Sequence, residues 1–160
     1  MRPPGRFLDR DAPGRTHLSL VGFPNPMART HLWVSSAMTI RTRRWNDPGQ
    51  KGDGLRVLVC RYRPRGLRKE DETWDIWLPE LGPGRDLHAD LYGKRGLPIG
   101  WREYRRRYLA EMRERPEAME KVADELRHGR TVTLLCSSAC TDAERCHRTL
   151  LAKLLEKARG

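Results

Sequence analysis

Long apolar segments are absent from this 160-residue sequence. No stretch approaches the roughly 20 apolar residues that a membrane-spanning helix needs, and the first residues lack the apolar core of a secretory signal. We therefore expect a cytoplasmic protein without a membrane partner. Only two phenylalanines occur, and we find neither an aromatic-rich RNA-binding motif nor an internal repeat, so base stacking on such a motif is not predicted.

Cysteine is scarce, and three of the four cysteines fall in one short stretch at Cys136, Cys140 and Cys146. In a chain that is not secreted, such thiols are typical of reduced cysteines or metal ligands rather than disulfides. The paired C-x2-C knuckles of zinc proteins are missing. Cys146 and His147 are also expected to point apart on one helix, so the sequence predicts no metal ion, and a zinc-binding structural protein stays the second alternative.

Acidic residues are too few to balance the basic ones, which leaves a formal charge of +11 and a pI of about 10.2. This excess favours nucleic acid or other phosphorylated partners. Residues 1–37 contain five prolines, and five arginines against two aspartates, with little apolar periodicity. We predict a flexible basic arm over residues 1–37 and a single α/β domain over residues 38–160. The domain carries +8 of the formal charge.

Two continuous apolar runs, Leu55–Cys60 and Thr131–Cys136, are typical of strands covered on both faces of a parallel sheet. Thr141 followed by Glu144 forms a capping-box pattern, which predicts that the last helix begins there. The sequence therefore predicts an α/β fold, a small layered sheet with parallel strands flanked by helices. The other predicted elements are a strand at 39–45 and helices at 70–81, 86–92, 101–113 and 116–128.

Several motifs resemble the domain of unknown function 488 family, the YeaO-like proteins, over about three-quarters of the chain. They are DGLRVLV at 53–59, Arg61 with PRG at 64–66, WDIWL at 74–78, YRRRY at 104–108, and Cys136 with CHR at 146–148. The chain differs from the family pattern where Cys60 replaces an aspartate, where Tyr62 and Arg63 replace leucine and tryptophan, and at 94–98. The resemblance implies a small α/β fold and no agreed reaction.

The carboxyl ends of neighbouring parallel strands meet at one edge of a sheet, where ligands bind in α/β proteins. We therefore expect Cys60 and Cys136 to lie close together, beside the start of the last helix. The free N–H groups of a helix start favour anions and lower thiol pKa values. The predicted catalytic residues are Cys136, Cys146 and His147, and the predicted ligand-binding residues are Cys60, Arg61, Arg65 and Arg148.

These residues predict that the domain binds or acts on a small anionic ligand, phosphorylated or carboxylated. A phosphatase-type loop would need an arginine six residues after a cysteine, but Asp142 and Cys146 occupy the two possible places. The alternative is a basic nucleic-acid-associated module that uses Arg105–Arg107 and the arm. Taken singly, Cys136 and Cys146 can be small buried packing residues, His147 is better explained as a hydrogen-bonded core histidine, and each arginine as a solvated charge. No cofactor and no oligomeric state are predicted.

The arm generates a first prediction. A chain that starts at Met38 should melt within a few degrees of the full-length chain, because residues 1–37 offer few periodic apolar positions to a core. Differential scanning fluorimetry of the two chains tests this. A much larger loss of melting temperature would mean that the arm packs into the domain.

Overall fold

The core of the structure is a parallel sheet built around the two apolar runs. The computed structural model describes residues 39–158. In that part of the chain, β1 (Ile40–Arg44), β2 (Leu55–Leu58), β3 (Ile76–Trp77) and β4 (Val132–Cys136) pair in the order β1-β4-β2-β3. All three pairings are parallel, and β4 is buried along its whole length. The predicted α/β class with parallel strands is confirmed.

Helices flank this sheet. They are α1 (Arg85–Leu91), α2 (Trp101–Arg113), α3 (Pro116–Arg127) and α4 (His147–Lys157). Helix α4 packs on β1 and β4, and α2 and α3 pack against α4. Tyr104, Tyr108 and Met112 of α2 are buried, as the helical spacing predicts. None of the helices within residues 39–158 is long and apolar enough to cross a membrane. Residues 1–37, the predicted arm, lie outside the described residues.

A buried carboxylate fastens the turn between β1 and β2. Asp53 is 4% exposed, and it accepts hydrogen bonds from Arg56 Nη1 at 2.5 Å, Arg43 Nε at 3.2 Å and the Gln50 backbone N–H at 2.9 Å. Burial alone would raise the pKa of Asp53, but these donors outweigh it and hold the pKa below its usual value. The next residue, Gly54, has φ +63°, and a side chain there would collide with the Thr131 carbonyl.

The predicted helix over 70–81 is wrong. The segment forms a 3-10 turn at Lys69–Asp71, strand β3, and a second 3-10 turn at Pro79–Leu81. The open edge of β2 decides this, because it offers hydrogen bonds that a helix would leave unused. The Asp75 backbone N–H donates to the Arg56 carbonyl at 2.8 Å, the Asp75 carboxylate accepts the Arg56 N–H at 2.7 Å, and the Leu78 N–H donates to the Leu58 carbonyl at 2.9 Å.

The predicted start of the last helix at Thr141 is also wrong, because α4 begins at His147 with Cys146 as its cap in an extended conformation. The Asp142 carboxylate takes the bonds that the capping box would have used. It accepts the backbone N–H groups of Glu144 at 3.0 Å and Arg145 at 3.3 Å, which forms a local turn instead of a helix. The loop between β4 and α4 is therefore longer than the sequence predicts.

The Asp53 cluster generates a second prediction. Replacing Asp53 with alanine should lower the free energy of unfolding by about 3 kcal/mol, because it leaves Arg43 and Arg56 without their shared carboxylate. Urea denaturation measures this. The matched control is Asp71→Ala, which removes an exposed partner of Arg68 and should cost less than about 1 kcal/mol.

The same cluster sets a pH dependence. Since the folded-state pKa of Asp53 is lowered, its contribution is present above the ordinary aspartate value of about 3.9 and is lost as the pH falls below it. The Asp53→Ala variant should therefore lose less of its remaining stability than the native chain over this acid range. An equal loss in both proteins would contradict the assignment.

Candidate functional site

A pocket of about 690 Å³ opens at the carboxyl edge of β2 and β4. Five cationic side chains line it, at Arg61, Arg63, Arg65, Lys94 and Arg145, together with two histidines. Among the described residues that form its wall there is no aspartate or glutamate. A wall of one sign in a concave site raises the local concentration of anions. The pocket is therefore electrostatically suited to an anionic ligand.

The floor of the pocket is a cluster of thiols, and all four cysteines are free. Cys60, Cys136 and Cys146 pack in one buried cluster, and Cys140 packs against it. Cys60, Cys136 and Cys146 are buried, while Cys140 is half-buried. The prediction that Cys60 and Cys136 meet at neighbouring parallel strands is confirmed, although Cys60 lies two residues beyond the end of β2.

Interactions among these thiols shift their pKa values in different directions. The interactions with Cys140, Cys146 and Cys60, together with burial, raise the pKa of Cys136 well above its usual value. The interaction with Cys136 lowers the pKa of Cys146, but the interaction with Cys140 and burial outweigh it and leave a pKa of about 12. The interactions of Cys140 with Cys136 and Cys146, together with the positive charge of Arg148, lower the pKa of Cys140 despite its burial. The cluster thus favours one thiolate, on its most exposed member.

His147 is fixed beside these thiols by the end of β2. Its Nε2 lies 2.8 Å from the Val59 carbonyl, and because a carbonyl can only accept, this nitrogen carries the proton. Burial lowers the pKa of His147, so the neutral ring is favoured and Nδ1 is left as an acceptor. Both ring nitrogens lie 3.8 Å from Cys136 Sγ. The ring also packs against Tyr108 at a centroid distance of 5.6 Å.

The expectation that Cys146 and His147 point apart is wrong. Because Cys146 is the extended cap of α4 rather than a helical residue, its thiol turns back toward β4. One ligand atom from each of Cys136, Cys146 and His147 lies within 4.8 Å of the others. Thiolate and imidazole are donors that zinc prefers, and a structural zinc site takes four of them. These residues offer three such donors, and Cys140 packs against the cluster that contains two of them.

The predicted arginines fall in two different places. Arg61 and Arg65 line the pocket, and within residues 39–158 neither forms a salt bridge. Arg148 is only 5% exposed and is not part of the pocket wall. Its Nε and Nη1 are buried without a hydrogen-bond partner in the described part of the chain. Its charge contributes to lowering the pKa of Cys140. Because Arg148 is not part of the wall, its predicted contact with a ligand is not seen in the pocket.

Several pocket residues were missed by reasoning from the sequence. Cys140 is named among the clustered thiols but is not predicted as a site residue, and Arg145 is not singled out. His88 and Tyr92 stand four residues apart at the end of α1, a spacing that places them on one helix face but carries no chemical motif. Tyr62 was noted only as a departure from the family pattern. All five line the pocket.

A parallel sheet with thiols and a histidine at its carboxyl edge defines an α/β protein with a cysteine–histidine site. The chain belongs to the DUF488 family: the family model DUF488-N3a, described as the active DUF488-N3 subclade, matches residues 40–159. This confirms the resemblance that the sequence motifs carry.

Among its relatives is the uncharacterized protein YeaO of Escherichia coli, which is 32% identical over 118 residues, 74% of this chain and 97% of the relative. The uncharacterized protein Rv3073c of Mycobacterium tuberculosis is 30% identical over 118 residues, 72% of this chain and 92% of the relative. No solved structure matches the chain.

The thiol cluster generates a third prediction. Iodoacetamide should label Cys140 at a rate that changes little between pH 6 and pH 8.5, because its thiolate is already formed. An ordinary thiol with a pKa near 8.5 would accelerate roughly a hundredfold over that range. Cys136 and Cys146 should label slowly throughout. Peptide mapping by mass spectrometry resolves the individual cysteines.

The control for this measurement is Cys140→Ser, which should remove the pH-independent label without exposing a new one. A Cys140 rate that rises in parallel with that of a cysteine peptide would contradict the assignment of the thiolate.

Proposed function

We propose that this protein binds a small anionic ligand, phosphorylated or carboxylated, in the cation-lined pocket and presents the Cys140 thiolate to it as a nucleophile. The observation that carries the proposal is the wall itself. Five cations and the thiol cluster line one concave site whose wall holds no described carboxylate, although Arg63 and Arg145 pair with Glu72 and Asp142 outside it. Arg61 and Arg65 have guanidinium groups that no described side chain pairs, and such groups bind phosphate or carboxylate in bidentate fashion.

The chemistry that such a site supports is the transfer of a phosphoryl or acyl group through a covalent bond to cysteine. The thiolate attacks phosphorus or a carbonyl carbon, and an S–P or S–C bond forms. The bond to the leaving oxygen breaks, and this oxygen keeps the electron pair and takes a proton from water. A second water then cleaves the intermediate and releases the thiolate. Cys136 and Cys146 stabilise the thiolate, and His147 lies against Cys136. The matching subclade is described as active, which supports a reactive site.

This function requires reduced thiols. Cytoplasmic reductants maintain cysteines in that state, so a cytoplasmic location is part of the proposal.

The nucleic-acid alternative has weaker support. It needs a continuous face of free arginines on α2, but Arg106 pairs with Glu103 at 2.7 Å and Arg107 pairs with Asp90 at 2.8 Å. Only Arg105 of this group lacks a salt bridge among the described residues. Other described cations without such partners, including Arg102 and Arg113 of α2, are scattered over the surface, whereas Arg61, Arg65 and Lys94 line one concave site. The pocket is therefore the better candidate for an anionic partner.

Protection by phosphate is the fourth prediction. At fixed ionic strength, replacing chloride with phosphate should slow the alkylation of Cys140 severalfold and raise the melting temperature, because the bound anion covers the thiolate and binds only the folded state. Arg61→Ala should weaken both effects. The matched control, Arg105→Ala, removes the same charge from an exposed site outside the pocket and should change neither.

Equal alkylation rates in the two buffers would contradict the anion pocket. Native mass spectrometry of the same preparation separates the zinc alternative from the proposal. Retained zinc, together with protection of Cys136, Cys140 and Cys146 that a chelator removes, would favour a metal-binding role.

A further inference from the structure

The mouth of the pocket carries an aromatic group that the binding of a bare anion does not require. Tyr62 follows β2, and His88 and Tyr92 lie at the end of α1. The His88 ring centroid lies 5.0 Å from that of Tyr62, with the planes at 83°, and 4.8 Å from that of Tyr92, with the planes at 47°. Tyr62 and Tyr92 remain 51% and 52% exposed, although both line the pocket. Such exposed rings are available to a ligand.

A second aromatic surface lines the same pocket. Trp101 is half-buried and stacks on Tyr104 at a centroid distance of 5.5 Å with an interplanar angle of 23°. Both side chains belong to the pocket wall. The stack continues from Tyr104 to Tyr108, so Trp101 is supported from behind and keeps its position. The wall therefore combines rigid aromatic faces with cationic groups.

The aromatic group and the cations are adjacent. Arg61 directly precedes Tyr62 in the chain, Lys94 lies two residues after Tyr92, and both cations line the same pocket as His88. A ligand that contacts the rings is thus within reach of cations that hold an anionic group. The pocket volume of about 690 Å³ lies in the range that holds molecules of drug size, much larger than phosphate alone.

We infer that the ligand of this pocket is a nucleoside phosphate, whose base stacks on the aromatic mouth formed by Tyr62, His88 and Tyr92 while its phosphate is held by Arg61 and Lys94. Flat heterocycles stack on tyrosine, histidine and tryptophan rings. Polar groups on these side chains, such as the tyrosine hydroxyl, can also form hydrogen bonds with the edge of the base. The inference rests on the proposed function and specifies its substrate class. The same chemistry is offered by a free nucleotide and by the end of a nucleic-acid strand.

The test compares probes that share the phosphate and differ in the rest. Binding of the four ribonucleoside 5′-monophosphates, ribose 5-phosphate, phenyl phosphate and inorganic phosphate is measured by protection of Cys140 from iodoacetamide and by calorimetry. At least one nucleotide should bind about tenfold to a hundredfold more tightly than ribose 5-phosphate, the gain expected from stacking one base. Phenyl phosphate should fall short of that nucleotide, because it lacks the sugar and the base edge.

Variants at the mouth separate stacking from other contacts. Tyr92→Leu should remove most of the nucleotide's advantage and leave the affinity for inorganic phosphate unchanged. Tyr92→Phe keeps the ring and should keep most of the advantage. The control Leu97→Ala changes an exposed apolar residue outside the pocket wall and should have no effect.

The possible failures are distinguishable. If inorganic phosphate protects Cys140 but no nucleotide exceeds ribose 5-phosphate, or phenyl phosphate matches the best nucleotide, the nucleoside inference is overturned and the anion pocket stands. If no probe protects Cys140 or binds, the proposed function fails as well. A 5′-phosphorylated single-stranded oligonucleotide that binds more tightly than the best nucleotide supports the inference with a strand end as the source, and equal or weaker binding supports it with a free nucleotide.

Discussion

The position of β4 between β1 and β2 is the constraint on which the site depends. β4 is paired on both sides, from Ile40↔Val132 to Arg44↔Cys136 with β1 and from Leu55↔Val132 to Leu58↔Leu135 with β2. The pairing extends to the carboxyl edge, where the Trp45 N–H donates to the Cys136 carbonyl at 2.8 Å and the Val59 N–H donates to the Leu135 carbonyl at 2.9 Å. Cys136 is therefore held in place by both neighbours, and the other thiols and His147 gather around it.

The parts of the fold that could be predicted are those in which local pattern and tertiary environment agree. The apolar runs that became β2 and β4 are continuous because both faces of these strands are covered, so the pattern records the environment directly. Helix α2 was predicted with its observed bounds, Trp101–Arg113, because its apolar face repeats at helical spacing. β3 was missed because two residues carry no periodicity, and its hydrogen bonds depend on the distant edge of β2.

The parts of the candidate site that could be predicted are likewise those set by the strand pattern. Parallel strands bring their carboxyl ends together, which brought Cys60, Arg61 and Cys136 to one edge without knowledge of any loop. Cys140 could not be placed because it lies in a loop whose path is set by the turn at Asp142 rather than by a repeating pattern. The misplaced start of α4 also had a consequence for chemistry, since a helical Cys146 would face away from the thiols that it contacts as a cap.

The positive charge of buried Arg148 is balanced by negative groups near it. Arg148 is buried, two of its donors have no hydrogen-bond partner within residues 39–158, and a buried cation is costly without negative charge nearby. Two groups supply that charge. Asp47 has a pKa lowered mainly by the Arg44 backbone N–H with a further contribution from Arg148, and Cys140 has a thiolate that Arg148 also stabilises.

A thiolate, however, repels an anionic ligand that approaches it, by the same Coulomb interaction that attracts it to Arg148. The cations in the wall outnumber the thiolate, and those without a described carboxylate partner, Arg61, Arg65 and Lys94, face the pocket that the ligand must enter. Under the proposed function, Arg148 stabilises the Cys140 thiolate, and the arginines and lysine of the wall are available to the anionic ligand. A site that combines a negative nucleophile with a negative ligand would need two such groups of cations.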